Sequence, residues 1–464
     1  MIVNYFKKGL TLYFLGNFSS KVISLLLLPL FTFYLTQEEY GLFDILNTIV
    51  LFMVPVIGAQ IFEGVIRYLL DTNDLSEKSK IISSSFYFLL INIIIVNVIL
   101  LAVKSVVDVP FAGWLLLYFN FYMLNFYLQR IARGLQLQKV FALSGLLNTI
   151  VIAVISVVLL TLYDYKTDGL LIAYAGGAAA SFIYLLKSIG LLKYLSLKFF
   201  NKTLLKKLLI YSLPLLFDAI IWWTMNLSDR LLLGYFQGTE EVGIYAVSNR
   251  FAALLTFLNH IFYLVWQEFA IIRAGEEGNK EDFAKILLQY LRIQFTGVIL
   301  MMPAVKLFIE YFVDASFHSA YLYVPVLLVS AMFSSFAAFY GLFYQVEKNT
   351  KGALYTSLIS GIINIVLNII FIPIYGIWAA AVSTLISFAL LWSIRVFVFR
   401  SYKLFSSLFY KHVIIGIIVG AIAVFLYYQQ HIYFDLTNLL LAGVLFFFVN
   451  KTLLGKLIWN SERR

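Results

Sequence analysis

Apolar runs of about twenty residues recur along the whole chain and are separated by short polar segments. Each run is long enough to cross the roughly 30 Å hydrocarbon core of a bilayer as an α-helix. The pattern predicts a membrane protein of about fourteen transmembrane helices, with spans at 10–35, 42–66, 81–103, 111–129, 140–162, 169–192, 208–234, 242–268, 286–310, 320–345, 353–373, 376–399, 412–428 and 436–454.

Two short motifs occur twice in the chain. Segment 38–43 (EEYGLF) returns as segment 240–245 (EEVGIY), and segment 144–148 (SGLLN) returns as segment 360–364 (SGIIN). Each pair falls in corresponding places of two successive six-helix sets. Because six is an even number, both sets enter the membrane from the same side, which indicates a parallel repeat around an axis along the membrane normal.

The expected fold is therefore all-α and polytopic, with two six-helix lobes and a C-terminal helix pair. Residues 1–205 form the predicted N-lobe (helices 1–6), residues 206–400 the C-lobe (helices 7–12), and residues 401–464 the pair (helices 13–14). A parallel repeat of two lobes favours a central cavity. The expected loops are too short to hold a soluble domain, so function is expected within the membrane.

Composition supports this interpretation, since 62% of the residues are hydrophobic and 12% are charged. A soluble fold normally has about 25% charged residues. The net charge of +10 is distributed over short loops, mainly on one side of the predicted spans. By the positive-inside rule that side is cytoplasmic, and both termini are expected there. This distribution does not favour nucleic acid as a partner, and the absence of cysteine excludes thiolate metal sites.

Charged side chains at membrane depth are the main candidates for function, because burying them against lipid is unfavourable. They are expected to face a partner or a water-filled cavity. On the first helix, Asn17 and Lys21 share one face. The other candidates are Glu63 and Arg67, which are an i, i+4 pair on the second helix, Asp218 and Trp222 on the seventh helix, and Arg250 on the eighth helix.

Two interpretations of these residues remain open. In the functional one, Lys21, Arg67 and Arg250 contact an anionic head group, and Asp218 and Glu63 are their partners or sites for a coupling proton or sodium ion. In the other, the same residues form interhelical salt bridges that hold the lobes together. Trp222 is placed to stack on a sugar ring or to pack against lipid or the core. Arg230 and Arg292 lie near helix ends and are interpreted as interfacial anchors.

Several motifs in sequence order resemble the polysaccharide-transporter branch of the multidrug/oligosaccharidyl-lipid/polysaccharide exporter superfamily, which includes O-antigen and capsule repeat-unit flippases. These motifs are 36–43, 58–67, 130–142, 212–214, 228–230, 238–249 and 348–381. The resemblance implies a flippase that moves undecaprenyl-pyrophosphate-linked oligosaccharides from the cytoplasmic to the outer leaflet by alternating access. It also implies cationic residues facing the cavity from the first, second and eighth helices, where Lys21, Arg67 and Arg250 lie.

The resemblance further implies a bacterial inner-membrane location and pathway partners such as a polysaccharide polymerase and glycosyltransferases, with no cofactor beyond a coupling proton or sodium ion. The first alternative is a drug/cation antiporter of the same superfamily. A membrane polysaccharide polymerase or ligase is less favoured, since such an enzyme requires a large outer loop. We therefore expect a transporter and not an enzyme.

Overall fold

The computed structural model describes residues 22–106, 110–273, 279–347 and 349–459. Across these ranges the chain is all-helical and contains no β-strand. We number its α-helices in chain order: α1 (Val22–Tyr34), α2 (Gln37–Ile57), α3 (Ile61–Leu70), α4 (Leu75–Lys104), α5 (Ala112–Gly134), α6 (Gln138–Thr161), α7 (Lys166–Ile189), α8 (Lys202–Gln237), α9 (Thr239–Arg273), α10 (Asn279–Phe312), α11 (Val324–Val346), α12 (Thr350–Tyr375), α13 (Ile377–Val398), α14 (Ser407–Tyr427) and α15 (Ile432–Trp459).

Most of these helices are those of a multi-pass membrane protein. Within the described ranges, ten are long and apolar enough to cross a membrane: α2, α4, α6, α7 and α10 to α15. The described part of α1 is apolar but shorter. Helices α5, α8 and α9 are long, with 23, 36 and 35 residues, yet they do not belong to the ten. The predicted all-α polytopic fold is confirmed.

The predicted second span, 42–66, is wrong in one respect, because it is broken into α2 and α3. Ala59 and Gln60 both adopt left-handed backbone conformations, with φ of 46° and 51°. Such a conformation ends a right-handed helix. The carbonyl of Ile57, at the end of α2, accepts a hydrogen bond from the Asn92 side chain of α4 at 2.8 Å. A side chain thus satisfies a backbone group that the break leaves without a helical partner.

The chain packs as two compact units, and the boundary between them falls between Leu231 and Leu232, inside α8. We call the described residues up to Leu231 the N-unit and those from Leu232 onward the C-unit. In the N-unit, α7 packs on α5 and α6, and α3 packs on α5. The core of the N-unit is aliphatic and aromatic, with Phe62, Met123, Tyr127 and Leu185 almost fully buried. The lobe boundaries expected from sequence stay a prediction.

The C-unit has an aromatic core centred on Trp266 of α9. Its ring is fully buried and stacks on Phe339 of α11, with ring centroids 4.3 Å apart. Phe283 and Phe343 meet the same indole edge to face. The α14–α15 hairpin packs on α10. The large rings fill the space between α9, α10 and α11, which fixes the positions of the polar groups described below.

The two copies of the first repeated motif occupy equivalent places. Segment 38–43 lies in the first turns of α2, and segment 240–245 lies in the first turns of α9, so each helix has two glutamates at its N-terminus. Acidic side chains there are favourable, because helix N-termini have a partial positive charge. The parallel repeat itself stays a prediction.

A buried arginine connects three helices of the C-unit. Arg395 of α13 donates hydrogen bonds to the backbone carbonyl of Ala337 at 2.7 Å and to the hydroxyl of Ser357 at 3.1 Å. Its residue exposure is 5%. Gly341 of α11 lies directly against the guanidinium, and a β-carbon at that position would collide with it.

We therefore expect Gly341→Ala to destabilise the protein by about 1–3 kcal/mol, the usual penalty for overpacking a core. The guanidinium is held by its hydrogen bonds and cannot swing away without breaking them. Chemical unfolding of the purified protein in detergent measures the effect. Gly297→Ala in α10 is the matched control, because nothing lies within 4 Å of its added methyl group. Equal stability of the two variants would contradict a fixed Arg395.

Candidate functional site

The structure describes the predicted site residues to different extents. Asn17 and Lys21 lie outside the described residues. Asp218 lies in α8, where its backbone is helical, but its side chain is not among those described. Trp222 follows one turn later and is partly buried, and Arg250 is partly buried in the fourth turn of α9. Both of the latter side chains have interaction partners.

Glu63 and Arg67 do not pair with each other, contrary to the ion pair expected from their spacing. The guanidinium of Arg67 lies 3.3 Å from a carboxylate oxygen of Asp71, one turn further along, and both side chains are more than half exposed. The carboxylate of Glu63 lies 3.2 Å from the guanidinium of Arg130 on α5. The two charges of α3 therefore enter two separate ion pairs.

Arg130 is a site residue that the sequence did not single out. Its side chain is 23% exposed, less than half the value for Arg67. The guanidinium carbon lies 4.5 Å from the centroid of the Phe126 ring, one turn earlier in α5, in a cation–π contact. The predicted span ended at residue 129, whereas α5 continues to Gly134. The helical continuation places Arg130 on the helix and not in a loop.

Close packing holds α3 against the beginning of α8. A β-carbon on Gly64 would lie 2.8 Å from the Ser212 hydroxyl and 3.1 Å from the carbonyl of Leu208, so only glycine fits. One turn further along α3, Tyr68 meets Tyr211 edge to face, with ring centroids 6.3 Å apart. The end of α3 that carries Arg67 therefore lies beside the first turns of α8. Two exposed lysines, Lys206 and Lys207, lie in those turns.

A second ion pair of the N-unit is buried. The Nε atom of Arg230 on α8 donates to a carboxylate oxygen of Asp44 on α2 at 2.6 Å. The Nη1 atom of Arg230 donates to the carbonyl of Asn226 at 2.9 Å. Each residue is 8% exposed. The interpretation of Arg230 as an interfacial anchor is therefore wrong, because its guanidinium forms a buried ion pair that connects α8 to α2.

The C-unit contains a buried lysine beside a polar cavity. The ammonium group of Lys306 on α10 lies 2.8 Å from a carboxylate oxygen of Asp435 on α15 and 3.9 Å from Glu310. It also donates to the carbonyls of Tyr427 and Gln429 at 2.8 and 2.9 Å. The cavity has a volume of about 260 Å³. The predicted span 286–310 includes Lys306 near its end, but the sequence did not single it out as a candidate; its exposure is 2%.

The C-unit also contains two uncharged buried networks. The side chain of Asn259 on α9 hydrogen-bonds to Gln294 on α10 and to Ser335 on α11. Asn364 and Asn368 of α12 are both fully buried, and their side-chain amides are hydrogen-bonded 3.3 Å apart. Among the described residues, no group of His, Asp and Glu is arranged to hold a metal ion.

Three helices outside the ten most apolar ones contain four of the residues discussed above. Arg130 lies on α5, Asp218 and Trp222 lie on α8, and Arg250 lies on α9. Polar groups at membrane depth face protein or water and not lipid, so the lower hydropathy of these three helices fits a role inside each bundle. The arrangement suits binding of an anionic, polar ligand by guanidinium groups with carboxylate partners.

Solved structures show which fold the chain has. The chain is similar to the lipid II flippase MurJ in an inward closed conformation, with a TM-score of 0.70, 17% identity, and coverage of 97% of this chain and 100% of that one. It is also similar to an inward-facing multidrug resistance MATE family transporter of the MOP superfamily, with a TM-score of 0.67, 14% identity, and coverage of 83% and 96%. The fold is that of MOP-superfamily transporters.

A family model then gives the closer assignment. The model for polysaccharide biosynthesis proteins matches residues 6–266, more than half of the chain, so the chain belongs to that family. Its fold is shared with flippases and transporters, which are not enzymes. A comparison with curated protein sequences found no match.

Proposed function

We propose that the protein is a flippase for lipid-linked oligosaccharides, which it moves from the cytoplasmic to the outer leaflet by alternating access. The substrate is an undecaprenyl-pyrophosphate-linked repeat unit of a surface polysaccharide such as O-antigen or capsule. Family membership and the fold shared with a lipid II flippase support this proposal. The observation that carries it is the pair of guanidinium groups, Arg67 and Arg130, which lie on neighbouring helices and each have a carboxylate partner.

The two ion pairs suit a pyrophosphate ligand. A guanidinium group binds phosphate oxygens through two parallel hydrogen bonds. Because Arg67 and its partner Asp71 are more than half exposed, their ion pair is weak and is readily exchanged for a more highly charged anion. Glu63 keeps Arg130 oriented until the anion arrives. We assign Arg67 and Arg130 to the pyrophosphate in the N-unit.

The remaining candidates extend this proposal. Lys21 and Arg250 are further cationic contacts of the head group. Asp218 and Glu63 are sites where a coupling proton or sodium ion balances charge during transport. Asn17 and Trp222 contact the glycan, since an indole ring stacks on the apolar face of a sugar.

The proposed setting is the inner membrane of a bacterium, with both termini in the cytoplasm. Glycosyltransferases complete the repeat unit on the cytoplasmic side, and a polymerase consumes it on the outer side.

Transport assays in inverted membrane vesicles test the proposal. Arg67→Ala and Arg250→Ala are each expected to reduce translocation of lipid-linked glycan about 10–100-fold, the usual effect of removing a charge-assisted contact worth about 1.5–3 kcal/mol. Lys285→Ala is the matched control, because Lys285 is also exposed and pairs with an acid one turn away, Glu281, at 3.9 Å. Normal translocation by both arginine variants at wild-type protein levels would contradict the site.

The second candidate function is drug/cation antiport, which is favoured by the fold shared with a MATE family transporter. An antiporter for cationic drugs requires an acidic binding site, whereas Glu63 and Asp71 are each paired with an arginine. Drug susceptibility of a deletion strain separates the two. Raised susceptibility together with normal surface polysaccharide would favour antiport.

A further inference from the structure

The connection between α7 and α8, together with the first turns of α8, combines positive charge with exposed apolar side chains. Residues 190–207 contain five lysines and no acidic residue. All five are exposed: Lys193, Lys198, Lys202, Lys206 and Lys207. In the described part of the chain, Lys166, Lys285 and Lys306 form ion pairs, and none of these three belongs to residues 190–207. We call residues 190–207 the basic loop.

Three large apolar side chains of the basic loop point away from the protein. Leu192 is 77% exposed, Leu197 is 76% exposed and Phe200 is 42% exposed. Such exposure is ordinary on a helix that faces lipid, but the segment before Lys202 lies between two long helices. Each of these side chains adjoins, or lies two residues from, a lysine, so apolar and cationic groups alternate along one short stretch.

The backbone of the basic loop is held in place, so this exposure belongs to a fixed surface. The hydroxyl of Ser83 on α4 donates to the carbonyl of Tyr194 at 2.6 Å and accepts from the amide of Ser196 at 3.2 Å. The hydroxyl of Ser84 accepts from the amide of Asn201 at 2.9 Å. Leu191 is fully buried in the N-unit core. Hydrogen bonds and a buried leucine thus orient the outward side chains.

We propose that the basic loop binds the anionic phospholipid head groups of the leaflet on the lysine-rich side of the membrane. The basic loop lies between α7, a candidate membrane span, and the predicted span 208–234, and therefore lies at the membrane surface. Leucine and phenylalanine side chains enter the boundary between head groups and acyl chains, while lysines reach the phosphates above them. Five positive charges without an acidic neighbour complement an anionic surface, and each contributes about fivefold to the binding equilibrium.

This inference is independent of the proposed transport function, because its ligand is the surrounding phospholipid and not the transported molecule. Lipid binding would also affect the N-unit, because the basic loop leads directly into the part of α8 that packs against Gly64 of α3. It would fix the depth of the Arg67 end of α3 relative to the phospholipid head groups.

A spin label on the basic loop tests the proposal directly. The natural sequence has no cysteine, so Leu197→Cys provides a single attachment point. The labelled protein is placed in vesicles of phosphatidylcholine alone and of an equal mixture of phosphatidylcholine and phosphatidylglycerol. We expect collisions with a water-soluble nickel chelate to fall several-fold in the anionic vesicles, while collisions with oxygen rise.

Two controls make the result specific. The triple variant Lys193→Gln, Lys198→Gln, Lys202→Gln should lose the difference between the two lipid mixtures. Leu162 in the α6–α7 turn is comparably exposed (74%) and lies near the acidic Asp164. A spin label at Leu162→Cys should therefore show no protection by anionic lipid. Equal nickel accessibility at position 197 in both mixtures, or protection that survives in the triple variant, would overturn the proposal. Full water exposure in anionic vesicles would instead point to an acidic protein partner.

Discussion

Replacing Arg230 by methionine is expected to lower the free energy of unfolding by about 3–5 kcal/mol, one of the two largest effects we expect in this protein. The variant leaves the carboxylate of Asp44 almost completely buried and without the guanidinium that lies 2.6 Å away. A buried charge without a partner is far more costly than the intact pair is stabilising. Unfolding of the purified protein in detergent, followed by helical circular dichroism, measures the loss.

A double variant separates this explanation from a simple packing defect. Asp44→Leu combined with Arg230→Met removes both charges, and should recover most of the stability that Arg230→Met loses, because buried ion pairs can often be replaced by apolar residues. Arg67→Met is the control for an exposed pair and should change stability by about 1 kcal/mol or less. If Arg230→Met costs no more than Arg67→Met, the Asp44 pair is not an essential contact.

Replacing Lys306 by methionine should have a similarly large effect, about 3–5 kcal/mol, concentrated at the α14–α15 hairpin. The variant removes the partner of Asp435, which is 2% exposed, and the donor to two backbone carbonyls at the end of α14. Hydrogen exchange measured by mass spectrometry should show faster exchange around residues 427–435. The rest of the C-unit should keep its protection, because its aromatic core around Trp266 does not involve the hairpin.

A neighbouring hydrogen bond provides a control that separates the effect of the Lys306 ammonium group from a general loosening of the turn. The turn after α14 is also held by the hydroxyl of Tyr428, which donates to the carbonyl of Leu322 at 2.8 Å. Tyr428→Phe should therefore loosen the same turn, but by only about 0.5–1.5 kcal/mol, the usual contribution of one neutral hydrogen bond. An equal effect of Tyr428→Phe and Lys306→Met would contradict a dominant role for the buried charge.

The sequence predicts the all-α, multi-pass class of the fold, because a membrane span needs a minimum length of apolar residues. It did not predict the break between α2 and α3. The signals present there, Pro55 and Gly58, are common in unbroken transmembrane helices. The break depends on Ala59 and Gln60, two ordinary residues in left-handed conformations, and it leaves the carbonyl of Ile57 to the Asn92 side chain of α4. Local sequence does not encode that contact between helices.

Depth along a span identified Glu63 and Arg67 as charged residues at a membrane helix, but spacing alone could not identify their partners. Arg130 becomes the partner of Glu63 only when α3 packs on α5. Asp71 becomes the partner of Arg67 just after α3 has ended. Lys306 illustrates the same limit. Its side chain is buried because a hairpin more than a hundred residues later in the sequence docks over it, and hydropathy describes each helix without its neighbours.

The break between α2 and α3 also changes the electrostatic setting of the proposed binding residues. Because α3 begins at Ile61 and ends at Leu70, Glu63 lies in its first turn and Arg67 in its last turn. A helix has about half a positive charge at its N-terminus and half a negative charge at its C-terminus. Each side chain therefore opposes the partial charge at its own end of this short helix. Both side chains are already held in favourable positions before any ligand arrives, so less reorganisation is needed when an anion binds.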